Sequence, residues 1–533
     1  MTNSRIMEHI PSSFAFAVFL TAPNALAQCP VNGSAAPATI LEGGTAVLSA
    51  TGATSYAWSP PSGLDATAGA IVHASPASTT TYAVVGTCPW LSVATGLRHS
   101  LGVAANGTLW AWGFNASGQL GTGSTDGSFV PVQIGPDADW ASVAAGNHYS
   151  LAIKSNGTLW SWGENWYGQL GYDSANFHLE PAQVGTDADW LQVAAGSRHT
   201  LGLRADGTLW SWGDNTDGQT GDGGNPGNTA PKQMGMGTDW ALIDAGGFHS
   251  MALKNDGSLW AWGSNAYGQQ GTGTTTAQHV PFHLDTLGAC SDMSAGYYHS
   301  MAITAGGSLW GWGNNAGGQI GEGSDLVELL PIHVGTANDW LSVSAGWFHT
   351  QALRQDHSRW AWGENTLGEL GTGNFINQSA PFLAGMDWDQ VVAGSGFNFG
   401  VHSDGLMVSW GGGGDGNLGT GTTDNLSTPD TVIGSMGVDT VVVTVIPVSV
   451  VQVSAGQTFT CWPNPVSSGM CLRMTGLQSG TLYSIHDQLG QAMRTGVLTG
   501  VQPCMPVVGL APGSYLLKIG KGGSAGHARF HVQ

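Results

Sequence analysis

A Trp-x-Trp-Gly element returns every 50 residues along this chain, and that period constrains the fold more than any other feature. It stands at Trp110/Trp112, Trp160/Trp162, Trp210/Trp212, Trp260/Trp262, Trp310/Trp312 and Trp360/Trp362, and a seventh copy keeps only Trp410. A second tryptophan precedes each copy at Trp90, Trp140, Trp190, Trp240, Trp340 and Trp388, with Cys290 in the missing slot. A Gly-Gln-Leu-Gly turn, first at Gly118 to Gly121, follows each copy, and a proline-led segment closes each unit at Pro131, Pro181, Pro231, Pro281, Pro331, Pro381 and Pro429. Seven units are present. A unit of this length cannot bury a core alone and must stack on its neighbours.

Each unit reads as four short strands. In the second, WASVAAG, YSLAIKSNG, TLWSWG and PAQVG alternate with period two, and Asn156-Gly157 supplies the positive φ angles of a tight hairpin. Only 9% of residues are charged, against about 25% in ordinary soluble domains, so exposed helix faces have little to be made from. The expected architecture is all-β, a seven-bladed β-propeller, because propellers repeat four-stranded sheets radially and leave only short edges.

The unit also carries a family signature. The sequence AGxxHS-L-A-L, then DGTLWSWGxNxxGQLGxG, then PxxV resembles the regulator of chromosome condensation repeat family, over roughly Trp90 to Gly437. The resemblance implies a seven-bladed propeller over 89–437, with two loop tracts per blade on one rim where partner-binding members make contacts.

The flanks differ in composition. Arg5, the apolar run Phe14 to Leu20 and Ala25-Leu26-Ala27 before Gln28 read as a signal peptide over 1–27. Residues 28–88, with Trp58, Tyr82 and Val84 at strand spacing, resemble a small immunoglobulin/PKD-like β-sandwich. Residues 438–456 read as a linker. Residues 457–533 resemble the C-terminal β-sandwich sorting domain of type IX (Por) secretion, through Pro463-Asn464-Pro465, Ile485-His486-Asp487 with Gly490, and Leu510 to Ile519; the HARFHVQ end lacks that family's basic finish. These likenesses imply a protein secreted from, or held on the outer surface of, a Gram-negative bacterium, with the secretion machinery as one partner. Neither the signal run nor the valine-rich Val441 to Val451 is long enough to span a bilayer.

Charge narrows the partners. With 35 acidic and 14 basic residues the formal charge is −21, so nucleic acid, which is bound by Lys and Arg displacing counterions, is an unsuitable ligand. No P-loop, zinc motif or nucleotide fingerprint occurs, and Gly522 to Gly526 fits G-x-S-x-G by letters only. The cysteines allow a Cys29–Cys88 staple and a pair among Cys461, Cys471 and Cys504, while Cys290 reads as a buried small hydrophobe. Five histidines, His99, His199, His249, His299 and His349, recur at one position that Tyr149 and Phe397 fill elsewhere. One per blade cannot converge on a metal, so each is expected to bond a neighbouring strand's backbone. The asparagines Asn115 to Asn365 read as turn-formers. No cofactor and no catalysis are expected. The carboxylates Glu164, Asp214, Asp217, Glu322, Glu364 and Glu369 are scattered among blades, unlike the convergent pair that glycan cleavage needs.

Function is sought where blades differ. After each Ala-Gly lies a variable pair, and before each Gly-Gln lies another. Phe248, Tyr297, Tyr298, Trp347 and Phe348 crowd three consecutive blades, with Tyr267 beside them in sequence; Trp166, Tyr167, Arg98 and Arg198 add to the rim. Tyr, Trp and Arg dominate interface hot spots. These ten residues are the candidate partner-binding set, for an extracellular protein (adhesin, scaffold or enzyme inhibitor). The alternative is an extracellular glycan, bound or cleaved. Guanine-nucleotide exchange, the activity of the family's namesake, ranks lower because export removes a cytosolic GTPase.

Overall fold

The computed structural model describes residues 31–446, apart from 54, 88, 173–176, 225–226 and 435, and separate strands within 449–532. The signal-peptide reading, Cys29, Cys88, Pro463 to Pro465, Asp487 and Gly490 lie outside the described residues, as do the side chains of Cys461, Cys471 and Cys504. The described residues form strands and no helix, so none crosses a membrane as an apolar helix.

From Trp90 to Thr431 the chain makes successive four-stranded antiparallel sheets, each built from consecutive strands in an up-and-down order, seven among the described residues. This is a β-propeller, and each sheet is called a blade below. In blade two the strands are Trp140–Ala145, Tyr149–Lys154, Leu159–Glu164 and Phe177–Gln183. The expected proline-led strand is the outermost one; it starts before the proline, and its ladder to strand three is irregular. An edge is where a residue without an N–H is tolerated.

Two of the repeated motifs are halves of one contact. The indole of Trp162 is fully buried and its Nε1–H donates to the carbonyl of Gln119 in blade one at 2.9 Å, while Ser150 donates to the same oxygen at 2.7 Å. The pattern repeats at Trp212 on Gln169, Trp262 on Gln219, Trp312 on Gln269 and Trp362 on Gln319. The last blade treats the first alike, because Trp112 and Ser100 both donate to the Asn417 carbonyl at 2.8 Å. Gly121 must be glycine here. Its φ is +75°, and a Cβ would stand 2.8 Å from Trp162 Nε1.

The histidines correct the expectation of a backbone contact. His99 Nε2 lies 2.9 Å from Ser150 Oγ of the next blade, and His199, His249 and His299 meet Ser250, Ser300 and Thr350 in the same way. Each of these four hydroxyls, as at Ser150, gives its hydrogen to a Gln carbonyl. It can therefore only accept from the ring, so the imidazole must be the neutral Nε2–H form. Burial pushes His99, His199, His249 and His299 down to about 3 and His349 to about 4. Tyr149 fills the slot by donating to the His199 carbonyl.

The segment expected as a linker begins differently. Strand Met436–Ile446 runs antiparallel to Thr80–Thr87 from Met436/Thr87 to Val443/Thr80, and parallel to Thr39–Leu41. It completes a four-stranded sheet with Ser55–Ser59, and a three-stranded sheet of Asn32–Ala36, Ala46–Thr51 and Ile71–Ala74 shares its core. Val441, Val443 and Val445 bury there against Leu48, Trp58 and Tyr82. The valine run thus has a partner that sequence patterning could not reveal, because the pairing spans the whole propeller. Chain entry and exit of the propeller are tied in one sheet.

Candidate functional site

The innermost strand of each blade, such as Trp140–Ala145, runs outward from one rim and ends at the loop carrying the first variable pair. The loop before Gly-Gln returns to that same rim. The asparagines build it. Asn115 Oδ1 accepts from Leu120 N at 2.8 Å and its Nδ2 donates to Ser124 and Asp126 carbonyls, as expected of a turn-former.

The aromatic residues of blades four to six meet on this rim. Tyr297 is central: its ring lies 4.3 Å from Trp347, 4.5 Å from Tyr298, 5.5 Å from Phe248 and 6.2 Å from Phe348, between centroids. Tyr267 joins at 4.9 Å from Tyr298 and is 39% exposed. The other five are half-buried, so neither member of the Tyr297/Tyr298 or Trp347/Phe348 pair turns wholly into the blade. Edge-to-face and offset contacts of this kind fix the rings before any ligand arrives. Gly247 makes room for the cluster, since a Cβ there would come within 2.7 Å of the Tyr297 ring.

The remaining candidates form separate groups. Arg198 stacks over Tyr167 at 4.5 Å, beside Trp166, which is 66% exposed. Arg98 stacks over Phe114 at 4.5 Å and forms a bidentate pair with Asp415 of the last blade. This contact joins blades one and seven, and nothing in the pattern of the repeats points to it. His148 lies 6.1 Å from Phe114, and its ring is pushed down by burial, against Glu164 and together with Arg98 and Arg198.

Tyr297 and Trp347 also line the mouth of a central cavity of about 280 Å³, whose walls are the innermost strands. These walls are mostly Ala, Val and Gly, with Gln192, Asp244, Ser294 and Ser344 among the polar exceptions. Polar side chains of the innermost strands bridge blades. Asp244 accepts from Ala295 N at 2.8 Å, Asp292 from Val343 N at 2.9 Å and Ser344 from Ala393 N at 2.9 Å. Asp244 and Asp292 were not singled out from sequence, although Asp244 breaks a run of alanine at its position.

The rim carboxylates have unequal surroundings. Glu322 is occupied by Asn315 and Ser324, and Asp214 accepts from Thr216 N. Asp217 is exposed beside the aromatic cluster and is raised from its ordinary range by desolvation, then by Asp214. Its charge contributes to the rise of Tyr298 to about 12, after burial and the neighbouring tyrosines. At the far end Glu364 N donates to the Phe348 carbonyl, and Glu369 is raised by burial first, with Glu364 adding to it. The cluster is thus bracketed by acid.

Comparison with known proteins agrees with this geometry. The family described as Regulator of chromosome condensation (RCC1) repeat matches 106–153, 156–203, 206–253, 256–303, 306–353 and 404–462, and a second profile of the same description matches 90–119, 140–169, 190–219, 240–269 and 290–319. Human WBSCR16 is similar at 26% identity over 57% of this chain and 85% of its own, with a TM-score of 0.52. Prp20p from Saccharomyces cerevisiae, described with its binding to Gsp1p and histones, matches at 24% identity over 59% of this chain and 83% of its own, with a TM-score of 0.53. Yeast RCC1 (Prp20) in complex with Kap60 shares the fold at 20% identity over 67% of this chain and 89% of its own, with a TM-score of 0.56. With its repeats matched over more than half of its length, the chain belongs to the regulator of chromosome condensation (RCC1) repeat family.

Proposed function

We propose that this chain is a secreted or cell-surface protein of a Gram-negative bacterium, non-catalytic, that binds another extracellular protein through the rim of blades four to six. The scaffold of this reading is a closed seven-bladed propeller flanked by an N-terminal sandwich and a C-terminal sorting sandwich. The observation that carries it is the single contiguous cluster of Phe248, Tyr267, Tyr297, Tyr298, Trp347 and Phe348. Pre-packed aromatic side chains lose little entropy on binding, and a half-exposed group of this size is unusual on a protein without a partner. The leader-like start and the sorting-like end support an extracellular address. Prp20p, of the same fold, was described with protein partners, which is in keeping with a propeller used as a docking platform.

The test is capture by the full chain from secreted and surface fractions, beside the variant Tyr298→Ala/Trp347→Ala. Loss of two hot-spot aromatics is expected to weaken capture by about a hundredfold, at around 1–2 kcal/mol each. The double variant should keep a cooperative thermal transition, because both rings lie outside the blade cores. Equal capture by both proteins refutes the site, and capture of a glycan alone moves the alternative ahead.

A further inference from the structure

The same rim already shows what sits on its aromatic rings. In blades one and three the second residue of the variable pair is arginine, and each guanidinium lies 4.5 Å from a ring centroid, Arg98 over Phe114 and Arg198 over Tyr167. Arg98 adds a carboxylate partner in Asp415. An aromatic face is therefore a recurrent arginine seat on this rim, completed by a carboxylate at Arg98. In blades four, five and six that position is Phe248, Tyr298 and Phe348, so rings stand where blades one and three place arginine. Every rim loop of these three blades, from Gly246 to Glu369, is free of Lys and Arg at its variable positions.

The carboxylates remain. Asp217 is exposed at the Phe248 and Tyr298 side, and Glu364 stands at the Phe348 side. Asp217 already feels the like charge of Asp214, and Glu369 feels that of Glu364. A cation arriving between them would relieve both repulsions and meet the negative faces of Tyr and Trp rings. A sugar would gain stacking from the same rings and could donate hydroxyls to the carboxylates, but being neutral it would relieve neither repulsion.

Resting on the partner-binding reading above, we propose that the blade four to six rim takes a polypeptide segment that lays an arginine side chain over the tyrosine and tryptophan faces, in the pose Arg98 and Arg198 adopt within the chain, and pairs it with Asp217 or Glu364. Affinity should fall with salt, because the paired charges are at the surface.

The test uses the full chain and a short fluorescent peptide of Gly, Ser and spaced Arg residues. The same peptide with citrulline in place of Arg keeps the shape and loses the charge. The Arg peptide should bind roughly tenfold or more tighter than the citrulline one. Asp217→Asn, Glu364→Gln and Tyr298→Ala should each erase most of that difference, while a change at the 93% exposed Met236, Met236→Ala, leaves it intact. Unchanged thermal midpoints of the two carboxylate variants keep the comparison free of misfolding. Equal binding of the two peptides, no binding of either, or preference for a cello-oligosaccharide overturns the inference. If a captured protein is lost with Tyr298→Ala/Trp347→Ala yet is unaffected by Asp217→Asn and Glu364→Gln, the docking site stands and the arginine seat falls.

Discussion

Taking the protein from pH 7 to pH 5 should remove on the order of 5–10 kcal/mol of stability from the propeller. The cause is the set of five buried imidazoles, each neutral between two blades, with values near 3 or 4 in the fold. In the unfolded chain each would titrate near 6.5. A base depressed by folding contributes stability that is present above the unfolded value and is lost as pH falls toward the folded value. By pH 5 each histidine has given up about 2 kcal/mol. Carboxylates oppose this in part. Asp292 is pushed up to about 6, and Asp244 and Glu369 are raised, mainly by desolvation. Their contribution runs the other way, gaining as pH falls below the folded value, and offsets a few kcal/mol at most. Urea unfolding at pH 7, 6 and 5 reads the slope directly. His299→Phe, which puts into blade five the residue that Phe397 supplies in blade seven, should flatten it by about one proton. A midpoint that does not move between pH 7 and 5 would contradict the neutral, buried ring of histidines.

The second large effect is expected at Arg359, a fully buried cation in blade six where blades one to five have Leu and blade seven has Met407. Its guanidinium sits between Trp388 at 4.9 Å and Trp410 at 4.4 Å, and donates to Gln351 Oε1, Leu370 O and Ala384 O. Burial depresses it to about 9, so it remains charged at neutral pH. Arg359→Ala leaves a cavity between two indoles and strips several acceptors at once, which should cost about 3–5 kcal/mol. Blade one solves the same position with Leu101, Leu109 and Ala111, all fully buried. Blade six keeps the alanine, as Ala361. Gln351→Leu/Arg359→Leu restores blade one's set and should lie within about 2 kcal/mol of the natural chain, or above it. Chemical denaturation of the three proteins decides. A double variant as weak as Arg359→Ala would mean the guanidinium does more than satisfy its own burial.

The sequence made the repeat legible because its tryptophans and glycines serve contacts made once per blade. Trp162 needs the Gln119 carbonyl, and Gly121 needs the space that Trp162 occupies. Blade contacts recur, so their residues recur. What occurs once was harder to read. The strand Met436–Ile446 pairs with Thr80–Thr87 across more than three hundred residues, and its valines carry no mark of that partner. The His–Ser and His–Thr contacts were misassigned to backbone because the hydroxyl lies in the next unit, 51 residues on. The aromatic rim was visible as an imbalance among blades. Its continuity was not, since Tyr267 reaches Tyr298 only through the stacking of blade four on blade five. The pairing of Met436–Ile446 with Thr80–Thr87 also means that a cut after residue 437 would remove the strand that closes the N-terminal sheet.

The most direct measurement places a photoreactive benzoyl-phenylalanine at Tyr267, in the cluster, or at Met236, which is 93% exposed in the loop entering blade four at the opposite rim. Each full-length protein is then irradiated in the native extracellular fraction. A protein adduct from position 267 and none from position 236 is the predicted result. Adducts from 236 alone, or equally from both, would contradict a partner-binding face on blades four to six.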